Sequence, residues 1–408
     1  MKREAAISLF PVLTVNFLGT LGLSIVLPFM VFLVTRLGGN GLLYGVLSAA
    51  YPALQLVGAP VLGRWSDLYG RRRILLLSEA GTLAGWGLFI AGTLLPVTVL
   101  YRSEGGPLGA FAVTVPFLVL FLARAVDGLT GGNVSVAYAY VADVTSEADR
   151  NRSFGRMAVS SNLGFVVGPA LAGVIGATAL GMTLPAMVAA GISFCAIFMI
   201  AFGLPESRPV STEEKKEPVP LRRALERPYV AFMLVLYFLI YLGFNFFYTS
   251  FPVHVVRALH WDVRNTGNYF AVLSLLMVIV QGPVLSFLTG RLSNVALVLA
   301  GGAILGSSFV LLTIPSVAVY YAAAALFALG NGVMWPSFLA ILSIASGEFQ
   351  GTVQGFASSA GSAASIIGLL AGGLLYDVIG ARVFLVAAGI IFLVTLLSAR
   401  LRRVGRGQ

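Results

Sequence analysis

Charge is what this sequence has least of. Of 408 residues, 10% are Asp, Glu, Lys or Arg, against 58% hydrophobic. A soluble globular domain carries about 25% charged residues, so this chain treats the bilayer as its solvent. Acids are the scarcer sign, 16 against 26 Lys and Arg, for a net charge of +10. In a soluble protein that excess would point to nucleic acid; in so apolar a chain it marks loops held on the cytoplasmic side, and no nucleic-acid partner is expected. The lone cysteine, Cys195, sits in an apolar run and can form no internal disulfide. The two histidines, His254 and His260, lie near the outer end of an apolar run with the spacing of no metal site, and read as surface residues. No phosphate loop, zinc spacing or nucleophile–base set is present. The GLTGGN at Gly128–Asn133 lacks the lysine of a nucleotide loop and lies inside an apolar segment. An enzyme, a metal site and a chain that hydrolyses ATP are therefore not expected.

What the sequence has in abundance is long apolar runs. A helix needs about 20 apolar residues to span a bilayer, and turn signals divide the chain into twelve such segments: 7–35, 41–64, 73–100, 111–142, 152–178, 182–204, 228–256, 265–290, 294–314, 316–345, 350–376 and 380–400. Backbone groups cannot stay unpaired in lipid, so each segment is expected to be helical. The basic start MKRE leads into a run that continues to about Val34 without a small-residue cleavage site, and reads as an uncleaved first span. With both termini inside, most Lys and Arg fall on cytoplasmic ends and loops. Arg36, Arg102, Arg257, Arg264 and Arg382 fall outside, and Arg124 falls within a span. One polar stretch interrupts the chain, and Pro and mixed charge make 205–227 a cytoplasmic linker between residues 1–204 and 228–408. The halves echo one another: Ser146, Gly155, Gly168 and Gly173 recur 200 residues later as Ser346, Gly355, Gly368 and Gly373. Duplicated halves are the architecture of secondary transporters, with the substrate site at the midplane between them.

The turn after the second span organises the rest. Gly63-Arg64-Trp65-Ser66-Asp67-Leu68-Tyr69-Gly70-Arg71-Arg72 resembles the loop signature G-x-L-x-D-R-x-G-R-R of the major facilitator superfamily. Arg124-Ala125-Val126-Asp127-Gly128 resembles its fourth-helix R-x-x-x-G element. Gly164 to Gly173, GFVVGPALAG, resembles the fifth-helix G-x-x-x-G-P-x-x-G-G of its drug/proton antiporters, the branch that includes bacterial tetracycline exporters. The resemblance implies an all-helical membrane protein of twelve spans in two pseudo-symmetric six-helix bundles, in the inner membrane with both termini cytoplasmic. It implies a functional monomer that needs no cofactor, exporting small lipophilic compounds against protons among membrane lipids. A metabolite symporter or facilitator, a lipid flippase and a non-transporting receptor stay open as alternatives. Two departures stand out. Leu68 replaces the basic residue usual after the loop aspartate, and Gly19 stands about where tetracycline exporters carry a first-helix acid.

Candidate residues follow in groups. By the resemblance, Asp67 and Arg71, with Gly63, Gly70 and Arg72, form a cytoplasmic gate. An ionised group at the bilayer centre costs about 2.5–3.5 kcal/mol even on insertion scales. Arg124 precedes Asp143 by 19 residues, roughly 28 Å along one continuous helix, which places it deep in the membrane. Asp127, three residues on, shares its face. The expectation is that Asp127 takes and releases a proton beside Arg124, with Glu79 as the alternative carrier unless it snorkels to the surface. Gly164, Gly168, Pro169 and Gly173 give a small-residue face for close helix contact. Tyr237, Tyr241, Phe244 and Tyr248 recur at helical spacing beside Asn245. With Asn16, Gln55, Asn133, Asn162, Gln281, Asn331 and Trp335 they are the candidate substrate-binding residues: aromatic walls, few charges and scattered amides, suited to a lipophilic compound better than to a sugar.

Overall fold

A computed structural model describes residues 8–106, 108–145, 147–175, 183–207, 225–347 and 350–406; most of the linker lies outside them. The chain is a succession of helices with one short hairpin. Helix α1 covers Phe10–Arg36, α2 Gly41–Tyr69 and α3 Arg71–Leu94. The strands β1, Val99–Glu104, and β2, Ala110–Thr114, pair with each other. Then come α4, Val115–Thr130, α5, Asn133–Val144, α6, Glu147–Ile175, and α7, Thr183–Gly203. The remainder is α8, Val230–Leu259, α9, Val263–Ile279, α10, Leu285–Thr289, α11, Asn294–Leu311, α12, Val317–Ser346, α13, Gln350–Ile379, and α14, Val383–Ser398. Among the described residues nine helical stretches are long and apolar enough to cross a membrane, or ten if the bent α1 counts as one. One of the nine, Val353–Arg402, takes in α14 as well as most of α13.

Several expected limits move, for local reasons. Segments 73–100 and 111–142 both overrun into the β-hairpin. VLYRSE and AFAVT are rich in β-branched and aromatic residues, and hydropathy alone does not separate such strands from helix ends. Gly105, Gly106 and Gly109 supply the positive φ of its turn. The fourth span is not one continuous helix. The Gly131 N–H turns back to Gly128 O at 3.0 Å and the Gly132 N–H to Thr130 O at 2.7 Å, which ends α4 and starts α5. The 28 Å reckoning therefore does not apply, although Val115–Val144 still qualifies as one span. Between α9 and α10, Val280–Val284 forms a π-helical turn around Pro283, an arrangement that re-satisfies the ladder where proline has no N–H. Helix starts are capped as their residues dictate: Thr114 Oγ1 accepts from Phe117 N at 3.3 Å and Asp262 Oδ1 from Asn265 N at 2.8 Å.

The chain divides into two compact units. The first comprises 1–33, 50–101 and 113–214. Where α2 turns into α3, Leu62, Ile74, Leu75, Val136, Tyr140, Met157 and Ile200 bury one another, with Val12 and Val15 of α1. Bare backbones meet where α2 crosses α4: a Cβ on Gly128 would come 2.5 Å from Tyr51 O, and one on Gly58 would strike Leu129 O.

The second unit comprises 34–49, 102–112 and 215–408. Its core is aromatic: Phe247 lies within 5.5 Å of Phe251, Phe309 and Phe327, and Phe251 stacks on Tyr269 at 4.4 Å. The start of α2 belongs to this unit. Asp377 of α13 accepts from Gly41 N at 3.3 Å and from Leu42 N at 2.9 Å, and Arg257 of α8 pairs with Asp377 at 2.5 Å. The hairpin holds the same turn: Ala112 N donates to Gly38 O and Asn40 Nδ2 to Leu108 O, both at 2.8 Å. His254 is not a surface residue. It is buried in α8, one ring nitrogen 2.6 Å from Tyr320 Oη and the other 3.0 Å from Tyr376 Oη, while His260 is exposed at the helix end. A short polar ring on a long apolar helix faces the core here because tyrosine partners wait there, which the residue's own sequence neighbourhood does not reveal.

Candidate functional site

The ionisable side chains inside the first unit come together in one place. Helix α4 carries Arg124 and Asp127 one turn apart, α3 carries Glu79 and α5 begins with Asn133. Arg124, Asp127 and Glu79 are 3%, 5% and 0% exposed. Arg124 Nη1 donates to Asp127 Oδ2 at 2.8 Å. The guanidinium carbon lies 4.8 Å from the centre of the Tyr51 ring, a cation–π contact from α2. Thr82 of α3 lines the same small cavity as Asp127. Glu79 does not reach the surface: Asn133 Nδ2 donates to its Oε1 at 3.0 Å, and its Oε2 has no partner among the described residues. A cavity with about 10 Å³ of room for water is lined by Gly19, Leu23, Tyr51, Thr82, Trp86, Asp127 and Asn133, at the lower limit for one water molecule. Gln55 donates to Tyr51 Oη at 3.0 Å and to Gly131 O at 2.8 Å, which ties the cluster to the break between α4 and α5. Tyr51, Thr82 and Trp86 carry no signal in the sequence that separates them from core residues.

The region between α2 and α3 is a second polar centre. Helix α2 continues to Tyr69, so Gly63 and Asp67 are helical and the turn narrows to Gly70, at φ 99°. Gly70 needs its glycine for the turn, whereas a Cβ on Gly63 would meet nothing within 4 Å among the described residues. Arg71 pairs with Asp67 at 2.7 Å and with Asp143, at the end of α5, at 2.9 Å, and donates to Ser66 Oγ at 2.6 Å. Asp143 accepts in turn from Ser207 Oγ at 3.1 Å. Sequence reasoning missed Asp143, although an acid at a span end in so acid-poor a chain was a usable signal. Arg72 instead holds the end of α7, donating to Ile200 O at 3.2 Å and to Ala201 O, while its own N–H donates to Glu206 Oε1.

The glycine face of α6 meets α1. A Cβ on Gly164 would strike Thr20, and one on Gly168 would strike Ser24, whose Oγ donates to Gly164 O at 2.9 Å. Pro169 and Gly173 lie on the same helix. Asn16 joins this seam: its Nδ2 donates to Met157 O at 3.0 Å and to Ser161 Oγ at 2.7 Å. It is an interhelical tie, and its Nδ2 is not free for a ligand. Asn162, next to Ser161, is exposed.

The substrate candidates of the second unit divide similarly. Tyr237 and Tyr241 stack at 4.9 Å and 13°, Trp335 of α12 stands edge-on to Tyr241 at 5.4 Å, and Phe244 lies 6.2 Å from Trp335. Tyr248 is set apart, 43% exposed and against Phe247 and Phe327. Asn245 is engaged with Tyr241 O at 2.7 Å and Ser365 Oγ at 3.1 Å. Gln281 sits in the π-helical turn, and Asn331 is buried with its Oδ1 unpartnered among the described residues. No group of three or more His, Cys, Asp or Glu that could hold a metal ion occurs among the described residues.

Known proteins are similar to this chain in sequence and in fold. The chain is 29% identical over 375 residues to the class E tetracycline resistance protein of Escherichia coli, covering 90% of this chain and 87% of that protein. It is 25% identical to multidrug resistance protein 2 of Bacillus subtilis (strain 168), covering 91% and 89%. The crystal structure of the human organic anion transporter MFSD10 (TETRAN) superposes with a TM-score of 0.67 at 21% identity, covering 98% of this chain and 100% of that one. The nucleoside transporter NupG superposes with a TM-score of 0.69 at 12% identity, covering 96% and 99%. At such identities the two structures speak for the fold alone. The Major Facilitator Superfamily model matches residues 12–368 and 233–407, and with that match this multi-span membrane chain belongs to the major facilitator superfamily, a family of transporters and not of enzymes.

Proposed function

We propose that the protein is a proton-coupled antiporter that exports small lipophilic, drug-like compounds by alternating access. The observation that carries this reading is the buried cluster of Arg124, Asp127 and Glu79. Ionisable groups are expensive inside a bilayer and mark ion or proton paths where they occur. A chain that only needed to fold would be served better by apolar side chains there. The resistance proteins to which the chain is similar support the compound class. In this reading twelve spans form two six-helix bundles joined by the 205–227 linker, in the plasma membrane with both termini cytoplasmic, and the monomer is the working unit. The proton gradient supplies the energy and no cofactor takes part. Asp67 and Arg71, with Asp143, latch the cytoplasmic side, and the stacked pair Tyr237–Tyr241 with Trp335 offers flat apolar surfaces to the compound.

The test uses purified protein in liposomes loaded with a pH-sensitive dye, under an imposed proton gradient. Lipophilic cations and tetracycline-like compounds are added in turn. Compound-triggered proton movement in protein-containing liposomes alone is the expected result. Compound transport without proton movement would overturn antiport, and the absence of a response to every compound would overturn the drug-exporter reading.

A further inference from the structure

The buried cluster contains two carboxylates and one cation. Arg124 is the cation, and its ion pair at 2.8 Å is with Asp127, not Glu79. Asp127 is therefore compensated where it stands. Glu79 is not. It is fully buried, its one hydrogen bond comes from the neutral amide of Asn133, and its Oε2 meets no donor among the described residues. The titratable groups that face it are Asp127 from α4 and Tyr51 from α2, and the Arg124 guanidinium is engaged with Asp127. Helix α5 presents Asn133, and α1 presents the bare backbone of Gly19. A Cβ there would stand 2.9 Å from Asn133 Nδ2 and 3.5 Å from Glu79 Oε1. The absence of a side chain at Gly19 thus makes the room that the Glu79–Asn133 pair occupies.

A carboxylate with no counter-charge is costly to bury, and the missing positive charge can be as small as a proton. We propose that Glu79 is the residue that takes up and releases the exchanged proton, while Asp127 stays the fixed ionic partner of Arg124. An O–H bond forms at the free carboxylate oxygen on uptake and breaks on release, with water as the other party and no further reactant. Asn133 connects the two acids: it bonds Glu79 on one side and, on the other, lines the cavity that Asp127 also lines. The role of Glu79 rests on the antiport reading, whereas its protonation in this conformation does not.

Infrared difference spectra of the purified protein in lipid, recorded through a pH titration, separate the two acids. The carbonyl band of a neutral buried carboxyl should be present in the wild type and in Asp127→Asn, and lost in Glu79→Gln. A band that survives in Glu79→Gln and disappears in Asp127→Asn would overturn the assignment, as would the lack of a band in the wild type. Transport gives the second reading. Glu79→Gln should lose proton-driven movement of compound yet retain compound-for-compound exchange across liposomes, with an unchanged elution profile showing that it folds. Proton-driven transport that persists in Glu79→Gln would overturn the proposal. A wild type in which no compound moves protons would count against antiport alone, since the infrared band still decides where the proton sits.

Discussion

At the scale of single residues, the Arg124–Asp127 pair makes the sharpest prediction. Removing the cation leaves a carboxylate buried at 5% exposure without compensation, an act that costs about 3–5 kcal/mol in buried pairs. Arg124→Ala should therefore lower the thermal unfolding midpoint in detergent by far more than Arg73→Ala at the exposed start of α3. Equal midpoints would show that the pair is not a structural element. Gly19 gives a second test. Gly19→Val would press branched carbons against Asn133 and Glu79, and overpacking of this kind costs about 1–3 kcal/mol. Reduced stability together with loss of transport is expected from thermal melts and liposome assays. That an arginine and an aspartate would sit inside a span was legible from the sequence, because the bilayer makes such residues conspicuous. That Asp127, not Glu79, would take the arginine was legible only in part. The i, i+3 spacing favours the pair, but the Asn133 contact that occupies Glu79 depends on how α3, α4 and α5 pack.

At the scale of elements, the start of α2 is held by a carboxylate supplied from more than 300 residues away in sequence. Asp377 accepts from the first two N–H groups of the helix, where the helix dipole favours negative charge. Asp377→Asn should loosen this turn by about 1 kcal/mol, read as faster hydrogen exchange at the Gly41 and Leu42 amides with little change in the middle of α2. Unchanged exchange would mean that Asn40, whose Oδ1 accepts from Leu43 N at 3.1 Å, caps the helix sufficiently alone. Helix crossings make a related prediction. Gly58→Val would drive a side chain into the backbone of Leu129, so a folding defect is expected in expression and size-exclusion profiles, whereas Gly63→Val, in open space, should behave as wild type. The sequence marked Gly63 and not Gly58, because a glycine at a crossing and one on a free surface look alike until the neighbouring helix is placed.

At the scale of the whole molecule, orientation is the property most open to direct test. The basic run Arg71–Arg73 at the start of α3 predicts a cytoplasmic α2–α3 turn, and the hairpin after α3 an outer position. With Cys195 replaced by Ser, a cysteine at Ser103 should react with a membrane-impermeant maleimide in intact cells, and one at Arg73 only after permeabilisation. The reverse pattern would invert the topology. The sequence by itself determined that the chain lives in a bilayer, where most of its helical segments fall, and which family it joins. All three follow from local composition and from short motifs that hydropathy and charge expose. The tertiary structure decided which polar groups meet: His254 with its two tyrosines, Asp143 with Arg71, Asp377 with the start of α2, and Glu79 with Asn133 in the space left by Gly19. In an apolar medium every buried polar group must find a partner, and that partner is chosen by the packing of helices distant in sequence.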